Sequence, residues 1–238
     1  MSFVPYRETR RPKRKPLDRG QVVRAALALL DEVGLDALTM RRLAERLGIK
    51  AASLYRHVRD KDELLVLLAD EISAEIPVLT PTGSWQEQLT EMAWRYRRGL
   101  LAHRDAARVA ANTAPFGPRR LRHIETTLSV LRSAGLSDRD AARAAHHFNN
   151  FVTEFAADEG RYAAAAEAMG VSRRKMLSEA RKLFGGLPPG EYPVIVALSE
   201  HLAEDDPDGL FQFGLQMWLD GLARQARGAG GSPRRGKG

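Results

Sequence analysis

Residues 39–61, TMRRLAERLGIKAASLYRHVRDK, constrain the fold of this chain more than any other stretch. Met40, Leu43, Ala44 and Leu47 recur at i, i+3, i+4 and i+7, which places them on one face of a helix. Thr39 is suited to cap its start. Gly48 stands where a left-handed C-terminal cap is needed, and Ile49 can fold back onto the helix as its apolar contact. A second helix is expected from Ala51 to about His57, with Leu54 and Val58 facing inward. Its other face then presents Lys50, Ala51, Ala52, Ser53, Tyr55, Arg56 and His57. Two helices joined by a short Gly-containing turn make the shape that lays its second helix in a DNA major groove.

The charge distribution agrees with that reading. Residues 1–61 carry 15 Lys/Arg against 7 Asp/Glu, whereas the remaining residues carry 22 against 23. The whole basic excess therefore lies on the segment that holds the helix pair, as a phosphate-binding surface requires. No run of about 18 apolar residues exists, so no membrane partner is expected. The start shows no leader pattern. Cysteine is absent, which removes disulfides and thiolate metal sites. The cytoplasm is the expected compartment, although the lack of Cys alone fits any.

The chain reads as all-α, with an N-terminal helix-turn-helix domain and a larger C-terminal helical domain. Residues 1–17 form a basic flexible arm that either enters a minor groove or is an inert tail. Residues 18–77 form the DNA-binding domain with its connecting helix. Asp18 with Gln21 and Asp60 with Glu63 are capping-box patterns, and Gly34 is expected to end the first helix. Pro77, Pro81 and Gly83 break the chain. Residues 84–227 form the second domain, and 228–238 a flexible tail. Helices are expected over 85–103, 105–112, 119–134, 138–158, 172–184 and 193–203, with the last from 206 or 208 to about 227. In that last helix Leu210, Phe213, Met217 and Leu222 make one stripe, and Phe211, Leu215, Trp218 and Leu219 cover most of the rest. A helix apolar nearly all round is buried on several sides. A homodimer satisfies it, and so does a central position in a monomer; the dimer also supplies two readers for a palindromic site.

Residues 18–72 closely resemble the tetracycline-repressor (TetR) family of one-component regulators, above all in the segment Leu54-Tyr55-Arg56-His57-Val58-Arg59-Asp60-Lys61. SWQEQL at 84–89, LLAHRDAARV at 100–109, Thr113-x-Pro115, GLSDRDA at 135–141 and FGLQMWLDGL at 213–222 resemble the C-terminal domain of the tetracycline repressors themselves. The resemblance implies a homodimer joined through a four-helix interface, here 138–158 and 208–226 from each subunit. It also implies release of operator DNA when a small molecule enters the C-terminal domain. By resemblance Arg41 contacts a base, consistent with the bidentate match of Arg to guanine. Tyr55, His57 and Lys61 hold the phosphate backbone by the same resemblance, and Ser53 can do either. Where those repressors begin the recognition helix with Gln-Pro, this chain has Ala51-Ala52, and Met40 replaces a polar residue beside Arg41. A different operator is expected, with more apolar and shape readout.

The resemblance also bears on the ligand. Tetracycline repressors hold a magnesium–drug chelate through a His on the short helix, and the aligned residue is Ala110. Their Arg and Asn align with Ala114 and Met92, and their connecting-helix His near Pro77. No cofactor is expected, and a tetracycline–magnesium chelate least of all. Met92, Tyr96, Ala110, Thr113, Phe116, Ile124, Thr127, His147, Phe148 and Phe151 are the candidate lining of a less polar pocket, with the aromatics equally able to be plain core. His146 and His147 are neighbours on one helix and point about 100° apart, so polar pocket-edge or interface roles are expected rather than a metal site. There is no Glu-x-x-His pair, Gly-rich phosphate loop, Gly-x-Ser-x-Gly elbow or His-Glu-x-x-His, so no enzyme is expected. The expected function is a ligand-responsive repressor. The alternative is a ligand-insensitive, architectural DNA-binding dimer.

Overall fold

The computed structural model describes residues 17–80 and 82–229, and the described residues fold into twelve helices with no strand. The basic arm over 1–16, Pro81 and the tail from 230 lie outside them. Helix α1 (Arg19–Ala37) opens on a complete capping box: Asp18 Oδ1 accepts from the Gln21 N–H at 2.7 Å, and Gln21 Oε1 accepts from the Asp18 N–H at 2.9 Å. Gly34 breaks it as expected, at φ +75°, yet one further turn follows to Ala37. Helix α2 (Met40–Leu47) is capped by the Thr39 hydroxyl and ends at Gly48, φ +64°. Helix α3 is shorter than its pattern predicts, Ala51–Leu54, because Tyr55–His57 close as a turn. Helix α4 (Lys61–Glu75) starts at Asp60, whose carboxylate accepts the Glu63 N–H; Glu63 itself reaches one residue past the expected box, to the Arg59 N–H. Val22, Leu30, Leu43, Leu54, Val58, Leu64 and Leu68 fill the core of this first unit.

The second unit contains α5 (Trp85–Leu101), α6 (Ala106–Ala111), α7 (Pro118–Ser133) and the long α8 (Asp138–Ala168), which continues ten residues past its expected end. The run AAAAEA over 163–168 supplies helix propensity there without an apolar stripe, which is why periodicity stopped at Asp158. Residues 173–202 form α9 (Arg173–Gly185) and two short helices, α10 (Pro193–Ala197) and α11 (Ser199–Leu202), and α12 (Pro207–Ala229) closes the chain. Leu89, Leu131, Phe148, Val152, Phe211, Leu215 and Leu219 make the second core. Arg97 ties α5 to α8 and α12. It meets Glu159 at 2.8 and 2.7 Å and Asp208 at 2.7 Å, with its guanidinium over Phe211 and Trp94.

Two sets of polar contacts join the units, beside the packing of Ala106 and Val109 of α6 in the first core. Asp70, buried on α4, accepts the backbone N–H groups of Arg119 and Arg120 at 2.8 and 3.0 Å, so it caps α7 from another helix. A Cβ at Gly117, directly before α7, would collide with that carboxylate. The α5–α6 link provides the other set. Asp105, at φ +57°, accepts the Leu35 N–H at 2.8 Å, and Arg108 pairs with Asp36 at 2.9 Å. His103 stands between Asp31 of α1 and Glu75 of α4, each 2.9 Å from a ring nitrogen.

Two outcomes are expected. Gly117→Ala forces the capping carboxylate away and lowers stability by about 1–3 kcal/mol in urea unfolding. At His103 burial pushes the imidazole down, but Glu75 and Asp31 outweigh it and hold the pKa above the ordinary 6.5. Its contribution is therefore complete below pH 6.5 and is lost as pH rises through the elevated value. The difference in thermal midpoint between wild type and His103→Gln shrinks from about pH 6 to about pH 9.

Candidate DNA-reading surface and ligand cavity

The reading surface is built on α2, α3 and the start of α4. Leu54 is fully buried and Leu43 likewise, so these two residues fix α3 against α2. The Ile49 N–H donates to the Ala44 carbonyl at 3.0 Å, closing the Gly48 turn. Lys50, Ala51, Ala52, Tyr55 and Arg56 are then all exposed, and Tyr55 keeps half of its surface in solvent. Ser53 and His57 are half-buried; the Ser53 hydroxyl accepts from Arg56 Nη2 at 3.1 Å. Arg41 projects outward with its guanidinium 2.8 Å from Glu45, an exposed pair that solvent screens and that a base edge can replace. Lys61 lies at the first turn of α4, its Nζ 3.4 Å from the Leu35 carbonyl. Met40 is the exception in this set. It is half-buried against the first core, so packing holds much of its side chain away from any groove.

A largely apolar cavity of about 300 Å³ lies between α4, α5, α7 and α8. Five of the ten candidate residues line it: Met92, Tyr96, Ile124, Thr127 and Phe148. Five lie elsewhere. Ala110 is buried beside Leu100, Ala156 and Ala157. Thr113 faces the α6–α7 loop, its hydroxyl taken by Val109 and Arg120. Phe116 is 77% exposed, because the loop ahead of α7 turns its ring into solvent. His147 points to a groove against Met217 and Trp218 of α12. Phe151 stacks on Phe211, 5.3 Å between ring centres, and belongs to the core. One turn of a long helix thus divides between cavity, core and subunit surface, a division that periodicity alone cannot make.

Sequence reasoning missed the α4 end of the cavity, Ser73, Ile76 and Pro77, together with Arg95, Arg120 and His123. A signal for Ser73 existed: on α4 it follows Ile72 on the buried side, where a hydroxyl is out of place unless bonded. It donates to the Ala69 carbonyl at 2.7 Å, and its own carbonyl lies 3.0 Å from His123 Nε2. Arg120 gave no such signal, since PRRLRH looks like a solvated helix start. Ala110, which the resemblance aligns with the magnesium-holding His, is buried away from this lining, and the guanidinium residues Arg95 and Arg120 belong to it.

The outer side of α12 bears Leu210, Phe213 and Met217, each more than 60% exposed, while Phe211, Leu215, Leu219 and Leu222 are buried on its inner side. Leu222 thus joins the inner set rather than the outer stripe.

A two-helix reader, a connecting helix and a bundle with a drug-sized chamber together define the class of helix-turn-helix regulators that carry a separate effector domain. Residues 22–68 match the bacterial regulatory proteins of the tetR family, and residues 76–226 match the tetracyclin repressor-like C-terminal domain. The chain belongs to the TetR family. It is 35% identical over 213 residues to the tetracycline repressor protein class A from transposon 1721 of Escherichia coli, covering 88% of this chain and 92% of that one. It is 34% identical over 219 residues to the HTH-type transcriptional repressor DrrR1 of Streptomyces coeruleorubidus, covering 90% and 81%. Among solved structures, ActR of Streptomyces coelicolor in complex with actinorhodin superposes with a TM-score of 0.77 at 38% identity, covering 87% of this chain and 95% of that one. Among the described residues no helix is long and apolar enough to cross a membrane.

On DNA fragments selected by the purified protein, Arg41→Ala is expected to reduce discrimination against scrambled duplex by roughly tenfold. Lys61→Ala weakens both duplexes alike and lowers the slope of log affinity against log salt by about 1. Equal losses on the two duplexes for Arg41→Ala would refute its role as a base reader.

Proposed function

We propose that this protein is a homodimeric transcriptional repressor that leaves a palindromic operator when an amphipathic small molecule enters the cavity between α4 and α8. One observation carries the reading: the cavity wall includes the C-terminal end of α4, the helix whose other end begins beside the reader. A ligand that touches Ser73, Ile76 and Pro77 touches the lever directly. The cavity is of the size that small-molecule sites occupy. ActR, the TetR family protein of Streptomyces coelicolor, is found in complex with actinorhodin, which supports a small-molecule effector here. The ligand binds without a metal ion, a reading supported by Ala110 and the cationic lining. A role without catalysis is supported by family membership. An architectural binder has no use for such a cavity, which weighs against that alternative.

Dimerisation is supported by the outer stripe of α12. Leu210, Phe213 and Met217 stand beside a groove formed with Arg143 and His147 of α8, and a second copy related by a two-fold axis covers the stripe and groove together. Sedimentation of wild type is expected to show a dimer at micromolar concentration. Phe213→Glu shifts it to monomer and weakens operator binding at least tenfold, because two half-sites no longer act as one. A wild-type monomer that still binds operator tightly refutes the proposal. So does a purified dimer whose operator complex responds to no member of a broad panel of aromatic effectors.

A further inference from the structure

We infer that the effector is an organic anion: a flat apolar body carrying one carboxylate, sulfonate or ionised enol, seated with that charge on Arg120. The inference rests on the cavity being the effector site and specifies the chemistry of that site.

Arg120 is 6% exposed, and its guanidinium reaches only neutral oxygens. Nη1 donates to the Thr113 hydroxyl at 2.8 Å, the Thr113 carbonyl at 3.2 Å and the Ala114 carbonyl at 3.4 Å; Nη2 donates to the Ala110 carbonyl at 3.1 Å. Among the described residues no carboxylate pairs with it. Asp70 of α4 is the acid that reaches this helix start, but its oxygens are taken by the N–H groups of Arg119 and Arg120 and by the Arg119 guanidinium at 3.3 Å. Arg97 is comparably buried and serves as the contrast. Its charge is structural, and two carboxylates neutralise it. A buried cation without a counterion is costly, and an arriving anion removes that cost.

The rest of the lining agrees. It contains Arg95, Arg120, His123 and His146, and no Asp or Glu among the described residues. Arg95 is answered by Glu91 at 2.6 Å, which leaves Arg120 as the guanidinium free of a counterion. Met92, Ile124, Leu128 and Phe148 supply the apolar part of the same lining, suited to a ring system.

The same contact offers a route to the DNA-binding unit. The Arg120 bonds hold the last turn of α6 and the loop that follows it. Ala106 and Val109 of α6 are packed in the core of α1–α4. An anion that draws Arg120 toward the cavity competes with those carbonyls and loosens α6 against the first unit.

Two fluorescent probes test this on the full chain: 8-anilinonaphthalene-1-sulfonate and N-phenyl-1-naphthylamine, which share one ring body and differ by the sulfonate. The sulfonate probe is expected to bind one site per chain at least tenfold more tightly. Arg120→Gln reduces that preference to threefold or less while leaving the neutral probe unaffected. Arg120→Lys retains most of the preference, and so does Arg95→Gln. Ala145→Trp, which fills the cavity, abolishes binding of both. Equal affinity of the two probes for wild type overturns the anion inference and leaves the cavity as effector site, and this wild-type ratio decides even if Arg120→Gln does not fold. A preference that survives Arg120→Gln also overturns it. If neither probe binds, or if both survive Ala145→Trp, the cavity itself is not the effector site.

Discussion

The carboxylate of Asp70 is the contact on which the rest of the molecule depends. It lies on the lever helix of the DNA-reading unit, and it terminates a helix of the other unit by accepting the Arg119 and Arg120 N–H groups. Helix starts ordinarily find their cap one residue upstream, as α1, α5 and α8 do with Asp18, Ser84 and Ser137. Helix α7 has Gly117 there, which has no side chain to offer and leaves room for the foreign carboxylate. The first turn of α7 therefore cannot keep its bonds if α4 tilts far. Arg120 occupies that same turn, so the cavity's cation and the lever's anchor share one backbone segment.

The α5–α6 link makes a second hold from the opposite side. Asp105 adopts a left-handed backbone that a non-glycine residue rarely takes, and its side chain binds the Leu35 N–H just past the break at Gly34. His103 and Arg108 add acid contacts on α1 and α4. These bonds are polar, and beside them Ala106 and Val109 of α6 are packed into the core of α1–α4.

Much of this was legible from the residues alone. The reader was, because its signals are local: Thr39, Gly48, Ile49 and the spacing of Leu43 and Leu47 act within eleven residues. Most helices of the second unit were also legible, although α8 runs ten residues past its expected end. The buried and exposed sides of α12 were not separated for Leu222, since a helix apolar all round carries little directional signal. Half of the proposed lining was misplaced for a related reason. Phe148 and Phe151 are both aromatic and lie on one helix, yet one faces the cavity and the other stacks on Phe211. Which occurs is decided by a partner more than fifty residues away. Asp70 and Arg120 were invisible, because a charged residue within a charged stretch reads as solvated until the neighbouring helix is placed.

The contrast between Arg97 and Arg120 connects stability to response. Around Arg97 three helices converge on a cation that is neutralised, bonded in bidentate fashion and covered by aromatic rings, so nothing entering the bundle can improve its surroundings. Around Arg120 the hydrogen bonds are made but the charge is unanswered. A ligand shifts a conformational equilibrium only to the extent that it interacts differently with the two states. A site already satisfied has no such difference to offer. On the proposal above, the free energy available for moving α4 lies in a buried cation that meets no carboxylate among the described residues, and its position against the cap of α7 couples that energy to α4.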